Sequence, residues 1–319
     1  CCVGELVISG VGWSDMGAAR GSQRLLGLIG SVVLLTMLLA AFDIGQAGAQ
    51  DVTSAEQQLA DKYAPIAMLK SQKANCDKEG EGNFPVTVDF LFENPDVALK
   101  ANGDGKPSDD VVIAQGVTPQ DLVNAGENTY LDLPGNPRDP GCVYETYFKQ
   151  KAAELGLEPT TYVRFIPDYA ANRLYVEYWF YYYFNDWNDT HESDWEMIQL
   201  TFDTTSVDEA LTRDPIEVGY AQHGGGELGK WGDSKIQMQG DRMVVYPSAG
   251  SHATYYGAYT FIGWGENGSA FGCDVTTAPH NETPLQAVVI PDQVDPDLHQ
   301  WWQVAAPLHQ PAGAGRWRA

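Results

Sequence analysis

The sequence predicts a mainly β protein, a single-domain β-sandwich with a few short peripheral helices. Short runs rich in aromatic and β-branched residues recur along the chain, and these residue types favour pleated strands. Turn residues separate the runs, with 33 Gly and 18 Pro among the 319 residues. Short strands at this spacing are typical of sandwiches and irregular barrels, and no internal repeat or long linker divides the chain.

Helix caps and turn residues place the elements in the first half of the chain. Thr53–Lys70 predicts a helix with Ser54 as its cap, and Thr118–Ala125 predicts a short capped helix. Phe84–Phe92 predicts an extended run, whereas 98–107 is rich in Gly, Asn and Asp and predicts a loop. The remaining predictions are a polar loop at 71–84, a strand at Tyr130–Leu133, a helix at Tyr144–Leu155 and paired strands at Thr161–Ile166 and Leu174–Phe184.

Two runs with a polar loop between them predict a central hairpin. Leu174–Phe184 is dense in aromatic residues, and Asp194–Phe202 alternates with period two. On this pattern Asp194 and Glu196 share one face with the apolar residues that follow, and Trp195 takes the other. A charge at a core-facing position is costly unless it is paired, hydrogen-bonded or bound to a cation. Later strands are predicted at Ile216–Tyr220, Lys235–Met238, Arg242–Tyr246 and Thr260–Ile262.

Several acids and an imidazole at the end of this hairpin predict a metal site. His191 precedes Asp194 by three residues, and Asp186 lies in the same loop. Same-face neighbours place the carboxylates of Asp194 and Glu196 within roughly 7 Å, where they repel unless a cation holds them. Oxygen-rich ligation favours Ca, Mg or Mn over Zn. The alternative is a turn held by local hydrogen bonds, with its acids solvated.

A second candidate segment follows the strand predicted to end at Tyr246. Pro247 and small residues make a tight turn that presents Ser251 and His252. A nucleophilic Ser/His pair is disfavoured, because adjacent residues on an extended chain point in opposite directions and no Gly-x-Ser-x-Gly elbow is present. We expect His252 opposite the acidic mouth, as a ligand or a general acid, and His223 at the same rim. A hydrogen-bonded structural role is the alternative for each histidine.

Charge and aromatic residues indicate the class of partner. The net charge of -24 excludes nucleic acid, since phosphate binding needs a basic face, and favours cations or neutral sugars. Trp187 and Trp195 offer flat rings on which a sugar could stack. The alternative for both is a place in the core, where aromatic residues of β proteins are found more often.

The N-terminal segment has the pattern of a secretory signal. Leu25–Phe42 is apolar and uncharged, follows two arginines and precedes Ala47-Gly48-Ala49. Met16 is the expected initiator, and cleavage after Ala49 predicts a secreted protein without 1–49. The alternative is a retained membrane anchor, because the run is just long enough to span a bilayer. No second spanning segment follows it.

The mature chain is expected to contain one domain, one disulfide and one remaining thiol. Residues 50–302 form the predicted domain, and 303–319 form a Pro/Ala/Gly-rich tail. Cys76, Cys142 and Cys273 lie in this part, and an oxidising compartment favours one bridge. Cys76–Cys142 is the preferred pair because both lie in the first half of the chain, but the sequence leaves the connectivity open.

Five motifs occur in the order found in one known family. They are Tyr63-Ala64-Pro65-Ile66, Phe84-Pro85-Val86-Thr87-Val88-Asp89, Tyr178-Trp179-Phe180-Tyr181, His191-Glu192-Ser193-Asp194-Trp195-Glu196 and Gly250-Ser251-His252-Ala253. From about residue 59 to 291 the chain resembles the vacuolar protein sorting 62 family, and within it the secreted bacterial branch. Ser193 stands where that family usually has glycine. The resemblance implies no reaction.

A shorter likeness concerns the string His191-x-x-Asp194-Trp195-Glu196. It is similar to the heptapeptide of necrosis- and ethylene-inducing-like cytolysins, which are secreted β-sandwich proteins. The likeness implies that His191, Asp194 and Glu196, together with Asp186, surround a divalent cation used in binding sphingolipid head-group sugars. The second histidine of that heptapeptide is absent, because Ser193 holds its place.

Three functional hypotheses follow. The first is a secreted acidic protein whose divalent-cation site binds a surface glycan or glycolipid head group. The second is a metal-assisted or carboxylate-pair hydrolase of glycosidic or phosphate esters. Against it, Asp194 and Glu196 come from one strand, whereas glycosidase carboxylates flank the scissile bond. The third is a structural surface protein in which the motif only fixes a hairpin.

Overall fold

The computed structural model of the protein describes residues 52–101, 110–126, 128–187, 190–223, 225–264 and 271–291. The predicted signal segment and the predicted tail lie outside these ranges. The helices are α1 (Ser54–Tyr63), α2 (Pro119–Val123), α3 (Val143–Leu155) and α4 (Val207–Ala210), with a 3₁₀ helix at Val88–Leu91. Over the described ranges, no helix combines the length and apolar character needed to cross a membrane.

Strands dominate the chain, as the sequence predicts. They are β1 (Ile66–Lys70), β2 (Ala98–Ala101), β3 (Val111–Gln115), β4 (Thr129–Asp132), β5 (Thr160–Asp168), β6 (Arg173–Asn185), β7 (His191–Phe202), β8 (Glu217–Gln222), β9 (Gly225–Lys230), β10 (Gln237–Gln239), β11 (Arg242–Pro247), β12 (Thr254–Tyr255), β13 (Thr260–Trp264), β14 (Phe271–Val275), β15 (His280–Pro284) and β16 (Gln286–Val289).

A six-stranded sheet forms the centre of the fold, in the order β16-β5-β6-β7-β8-β9. The predicted hairpin is its middle: β6 and β7 pair antiparallel, with Leu174 opposite Phe202 and Tyr182 opposite Asp194. A second sheet, in the order β10-β11-β1-β15 with β12 beside β11, packs against it, so the prediction of a mainly β sandwich is confirmed.

Both faces of the hairpin are buried, which explains its density of aromatic residues. Val176 and Leu200 pack with α1, β1 and β11 in one hydrophobic cluster. Tyr183 and Trp195 belong to a second cluster, shared with α3 and β2. Burying each valine, leucine or phenylalanine side chain contributes about 1.5–3 kcal/mol, so apolar burial stabilises the hairpin on both faces.

The predicted helix at Thr53–Lys70 is wrong in its second half. The helix ends at Tyr63 because Ala64 precedes Pro65, and a residue before proline is driven out of the helical region; Ala64 has ψ 124°. The chain continues as β1, between β11 and β15. The N-cap is Thr53, not Ser54: its side chain accepts a hydrogen bond from the backbone of Glu56.

Two further predictions near residue 90 are also wrong. Within Phe84–Phe92, Val88–Leu91 forms a 3₁₀ turn that inserts Phe90 and Leu91 into the second cluster. Within 98–107, the first four residues form β2 between β3 and β4, although Ala and Lys favour strands weakly. Tertiary pairing and burial therefore override local preference in both segments.

Candidate functional site

The candidate site lies where the β6–β7 hairpin changes from apolar to charged side chains. Asp194 is opposite Tyr182 in the register, and Glu196 is opposite Phe180. The alternation of β7 therefore places both carboxylates beside the apolar cluster, as the sequence predicts. Asn185 donates its Nδ2 hydrogen to Asp194 Oδ2 at 2.9 Å.

His252 comes to this site from the turn after β11. Gly250 and His252 adopt left-handed backbone conformations, with φ 80° and 56°, and the His252 amide donates to Ser248 O at 3.0 Å. A Cβ at Gly250 would approach Asp186 O to 2.9 Å, so only glycine fits this turn against the loop. The His252 ring is fully buried and stacks on Tyr182, with ring centroids 3.7 Å apart.

The His252 ring lies between two carboxylates. Its Nδ1 is 2.8 Å from Asp194 Oδ2 and its Nε2 is 3.2 Å from Glu81 Oε2. The second contact lacks hydrogen-bond alignment and is an ion contact. Burial alone would lower the pKa of His252, but the charge of Glu81 and the hydrogen bond and charge of Asp194 raise that pKa to about 9. A buried imidazolium is therefore the resident cation of this cluster.

The pKa values of Asp194 and Glu196 move in opposite directions. Burial would raise the pKa of Asp194, but the hydrogen bond from His252 and the charges of His191 and His252 hold it below its usual value. Burial raises the pKa of Glu196 well above its usual value, and the nearby carboxylates of Asp194 and Asp274 raise it further. Among the described residues, Glu196 has no hydrogen-bond or ion-pair partner, although it is only 8% exposed.

Sequence reasoning missed Glu81, the third carboxylate of the cluster. Glu81 follows a polar, glycine-rich loop whose sequence carries no strand or helix signal. Its side chain is buried because it accepts hydrogen bonds from Asn83 N at 2.7 Å and Gly250 N at 3.0 Å. Only its place between two glycines, Gly80 and Gly82, hints that the backbone there makes a close approach.

Asp274 is a fourth buried carboxylate and was also missed. It accepts hydrogen bonds from Ser251 Oγ and from Tyr255 Oη at 2.7 Å, and it pairs with His223 Nε2 at 2.7 Å. Burial would raise the pKa of Asp274, but the hydrogen bond and charge of His223 hold it below its usual value. Ser251 and His223, two predicted ligand-binding residues, thus both contact Asp274.

The other predicted metal ligands lie nearer the rim. His191 Nδ1 is 2.8 Å from Ser193 O, and because a carbonyl can only accept, this nitrogen carries the hydrogen. In the neutral ring the lone pair then lies on Nε2, the arrangement of metal-binding histidines. Asp186 Oδ1 pairs with Lys78 at 2.9 Å.

The two predicted stacking residues differ in exposure. Trp195 is 5% exposed and packs against Tyr162 and Tyr181, so its ring is not available to a sugar and the core alternative holds. Trp187 is half-buried, donates its Nε1 hydrogen to Cys273 O at 3.2 Å and lies 4.9 Å from the His223 ring. Trp187 therefore remains the candidate at the surface.

A polar cleft opens beside the cluster. Its wall is formed by the loop that contains Glu81, the start of α3 and the end of β6. The lining residues include Gln72, Lys78, Glu81, Tyr144, Glu145 and Asp186. The predicted Cys76–Cys142 disulfide is confirmed, and Cys76 lines this cleft. The expectation that the third cysteine is a free thiol is wrong, because Cys273 is disulfide-bonded as well. Glu81 lines the cleft, and its Oε2 also contacts the buried His252 ring. Glu81 therefore lies between the surface cleft and the buried charged residues.

The described part of the chain contains no group of three or more His, Cys, Asp and Glu side chains already arranged to hold a metal ion. The donor chemistry nevertheless fits a hard cation, since carboxylates predominate and Glu196 has no compensating charge. Tyr182 Oη, buried next to these acids, also has no hydrogen-bond partner. The residues fit such an ion chemically, without converging on a preformed site.

No protein-family model and no curated protein matches the chain, so membership of the vacuolar protein sorting 62 family is not shown. Solved structures show weak similarity. NLPPya in complex with glucosamine has a TM-score of 0.28 and 12% identity, over 44% of this chain and 56% of that one. The non-toxic HaNLP3 protein has a TM-score of 0.36 and 11% identity, over 75% and 78%.

Necrosis and Ethylene inducing Protein 2, from the causal agent of cocoa's witches' broom disease, has a TM-score of 0.33 and 12% identity, over 72% of each chain. These solved structures are necrosis- and ethylene-inducing proteins, the group to which the motif string is similar. At TM-scores below 0.5, the similarities assign neither a family nor a function to this chain.

Proposed function

We propose that this protein binds a divalent cation at the buried carboxylates of β7 and, through it, a surface glycan or glycolipid head group. The observation that carries the proposal is the unpartnered carboxyl of Glu196 beside Asp194 and Asp274. A buried carboxyl must be protonated, paired or bound to a cation. His252 already compensates Asp194 and Glu81, which leaves Glu196 as the group that an added cation would neutralise.

Asp194, Glu196 and His191 would hold the ion, with Asp186 at the rim. Carboxylate oxygens favour Ca, Mg or Mn over Zn. Because these groups do not already converge, binding requires their ligand atoms to turn toward a common point. A bound cation would supply a Lewis acid that coordinates sugar hydroxyl groups.

The cleft beside the cluster provides the surface for the sugar. Amide and carboxylate groups such as Gln72, Glu145 and Asp186 line it, and these groups suit sugar hydroxyl groups. A protein of net charge -24 also attracts cations to this surface. A secreted location, expected from the N-terminal pattern, would bring the cleft to an extracellular glycan.

Thermal melting with and without ions tests the cation site. We expect Ca, Mg or Mn chloride to raise the Tm of the purified protein and a chelator to reverse the rise, because a ligand at 100 times its Kd stabilises the native state by about 2.7 kcal/mol. Asp194→Asn should abolish the response. Asp241→Asn, at an exposed position before β11, should retain it. A wild-type protein whose Tm ignores all three ions would refute the proposal.

Hydrolysis is the second candidate function, and the opposite pKa shifts of Asp194 and Glu196 favour it. One ionised and one protonated carboxyl in one site is the arrangement of an acid/base pair. Burial opposes it, since the side chain of Asp194 is 12% exposed and Glu196 is 8% exposed. A panel of glycoside and phosphoester substrates tests this function: turnover that Glu196→Gln removes would establish an enzyme.

A further inference from the structure

The segment 71–83, here called the arm, is a closed loop on the wall of the cleft. It contains no helix or strand, and it returns to its origin because Glu81 N donates to Lys70 O at 2.7 Å. Gly80 permits this return: a Cβ there would lie 2.6 Å from the Cα atom of Gln72. An arm without regular structure depends on its remaining contacts for its position.

Those contacts attach the arm to the start of α3. The Cys76–Cys142 disulfide joins the two segments covalently. Glu145 Oε1 accepts a hydrogen bond from Cys76 N at 2.9 Å, and Glu145 Oε2 accepts one from Gln72 Nε2 at 2.7 Å. Gly82 lies directly against the Glu145 side chain, where a Cβ would come within 2.5 Å.

The far end of the arm delivers Glu81 to the buried cluster. Glu81 is the residue whose Oε2 meets both Gly250 N and His252 Nε2. Those two contacts hold the turn that carries His252, and His252 in turn fixes Asp194 Oδ2 through its other nitrogen. A continuous chain of contacts thus runs from the disulfide through Glu81 and His252 to Asp194.

We propose that Glu81 is a positioning residue of the candidate site and that the Cys76–Cys142 disulfide holds it in place. The binding consequence rests on the proposed cation site, whereas the structural consequence does not. With Glu81 present, the His252 ring has a carboxylate on each side and keeps Nδ1 toward Asp194. Without it, the ring loses one of its two partners and can turn away from Asp194 Oδ2, which would then keep only the hydrogen bond from Asn185 among the described residues.

A redox dependence follows from this arrangement. A dithiol reductant breaks the Cys76–Cys142 sulfur–sulfur bond, two thiols form, and the dithiol is oxidised to its own disulfide, with two electrons and two protons passing to the protein. The arm then loses its covalent link to the start of α3. It is held only by noncovalent contacts, which include the hydrogen bonds to Glu145 and the pair of Lys78 with Asp186. An oxidising extracellular compartment keeps the bridge closed and the site assembled.

Amide hydrogen exchange on the full chain tests the disulfide-held arm. In Cys76→Ser/Cys142→Ser, we expect exchange of the Gly250 amide, which donates to Glu81, to accelerate at least tenfold. Amides in the paired centre of β6 and β7 should keep their wild-type rates. The double variant leaves the disulfide-bonded Cys273 unchanged, and Cys76→Ala/Cys142→Ala provides a second measurement if the serine variant folds poorly. An unchanged exchange rate of the Gly250 amide in both measurements would overturn the proposal that the disulfide holds the arm in place.

Titration with Mn²⁺ alone tests the role of Glu81 at the site. Glu81→Gln keeps an acceptor oxygen for Gly250 N but removes the charge beside His252. At a temperature where the variant is folded, we expect at least tenfold weaker Mn²⁺ binding, together with a lower Tm in the absence of metal because the buried His252 loses one charged partner. Glu79→Gln, on the exposed side of the arm, is the matched control and should bind like wild type. Equal affinity for all three proteins would overturn the role of Glu81. A wild-type protein that binds no Mn²⁺ would overturn the cation site and the role of Glu81 in it. The exchange rate of the Gly250 amide would still test whether the disulfide holds the arm in place.

Discussion

Asp194 and Glu192 are partly buried carboxyls two residues apart on one strand, yet their surroundings differ. Asp194 meets the His252 ring, and its pKa is held below the usual value. Glu192 meets only neutral donors, Tyr144 Oη at 2.5 Å and Leu133 N at 3.1 Å. Burial raises the pKa of Glu192 to about 7, despite those hydrogen bonds.

At Glu192, hydrogen bonds from neutral groups do not offset the rise in pKa caused by burial. At Asp194, the hydrogen bond from His252 and the charges of His191 and His252 do offset it. The difference originates in the backbone of Ser193, which has φ 62°. This left-handed residue interrupts the alternation of β7, so Glu192 meets the side of α3 while Asp194 meets His252. Glycine adopts such a conformation without strain, whereas serine at this position does not.

The largest loss of stability should come from removing the imidazolium of His252, the cation that pairs with Asp194. His252→Gln leaves Asp194 and Glu81 buried without a compensating charge, and we expect a loss of about 3–5 kcal/mol in the free energy of unfolding at pH 7. Urea denaturation measures it. His280→Gln is the matched control, because His280 bonds only the carbonyl of Thr276, and it should lose about 1 kcal/mol. Equal losses would mean that His252 acts through packing alone.

Substituting Glu192 should change the free energy of unfolding by an intermediate amount that depends on pH. A raised pKa in the folded state means that Glu192 contributes stability fully below pH 4.5 and that this contribution is lost as pH rises through about 7. Glu192→Gln removes the titration, so its unfolding free energy relative to wild type should increase by about 1–3 kcal/mol between pH 4 and pH 8. Urea denaturation at both pH values checks this, with the exposed Glu282→Gln as a variant that should show no such trend.

The smallest change in stability should come from substituting Ser193, the residue between Glu192 and Asp194. Ser193→Gly relieves about 1 kcal/mol of left-handed strain but loses the contact of Ser193 Oγ with Tyr181 Oη at 3.0 Å, so the net change should lie within about 1 kcal/mol. Ser193→Val cannot adopt this φ easily and should destabilise by more than 1 kcal/mol. If both variants unfold alike, backbone strain at Ser193 does not separate Glu192 from Asp194.

The sequence predicted those parts of the site whose signal is local. Period-two alternation placed Asp194 and Glu196 on one face, and the tight turn after Pro247 brought His252 near them. It could not find Glu81 or Asp274, because neither belongs to a patterned run and each is buried only by partners distant in the chain. The role of Trp195 was ambiguous for a related reason: alternation gives a face but does not say what covers it.

The sequence alone determined the strand-rich class, the central hairpin and the types of side chain at its end, since these depend on propensity and periodicity over a few residues. Tertiary structure decided which charges are compensated, because that depends on distances between segments far apart in the chain. Asp194 acquires His252 from 58 residues away, and Glu81 meets the turn at Gly250 from 169 residues away. The local sequence pattern predicts which acidic residues lie at the site. The packing of turns that are distant in sequence determines the pKa values of those residues.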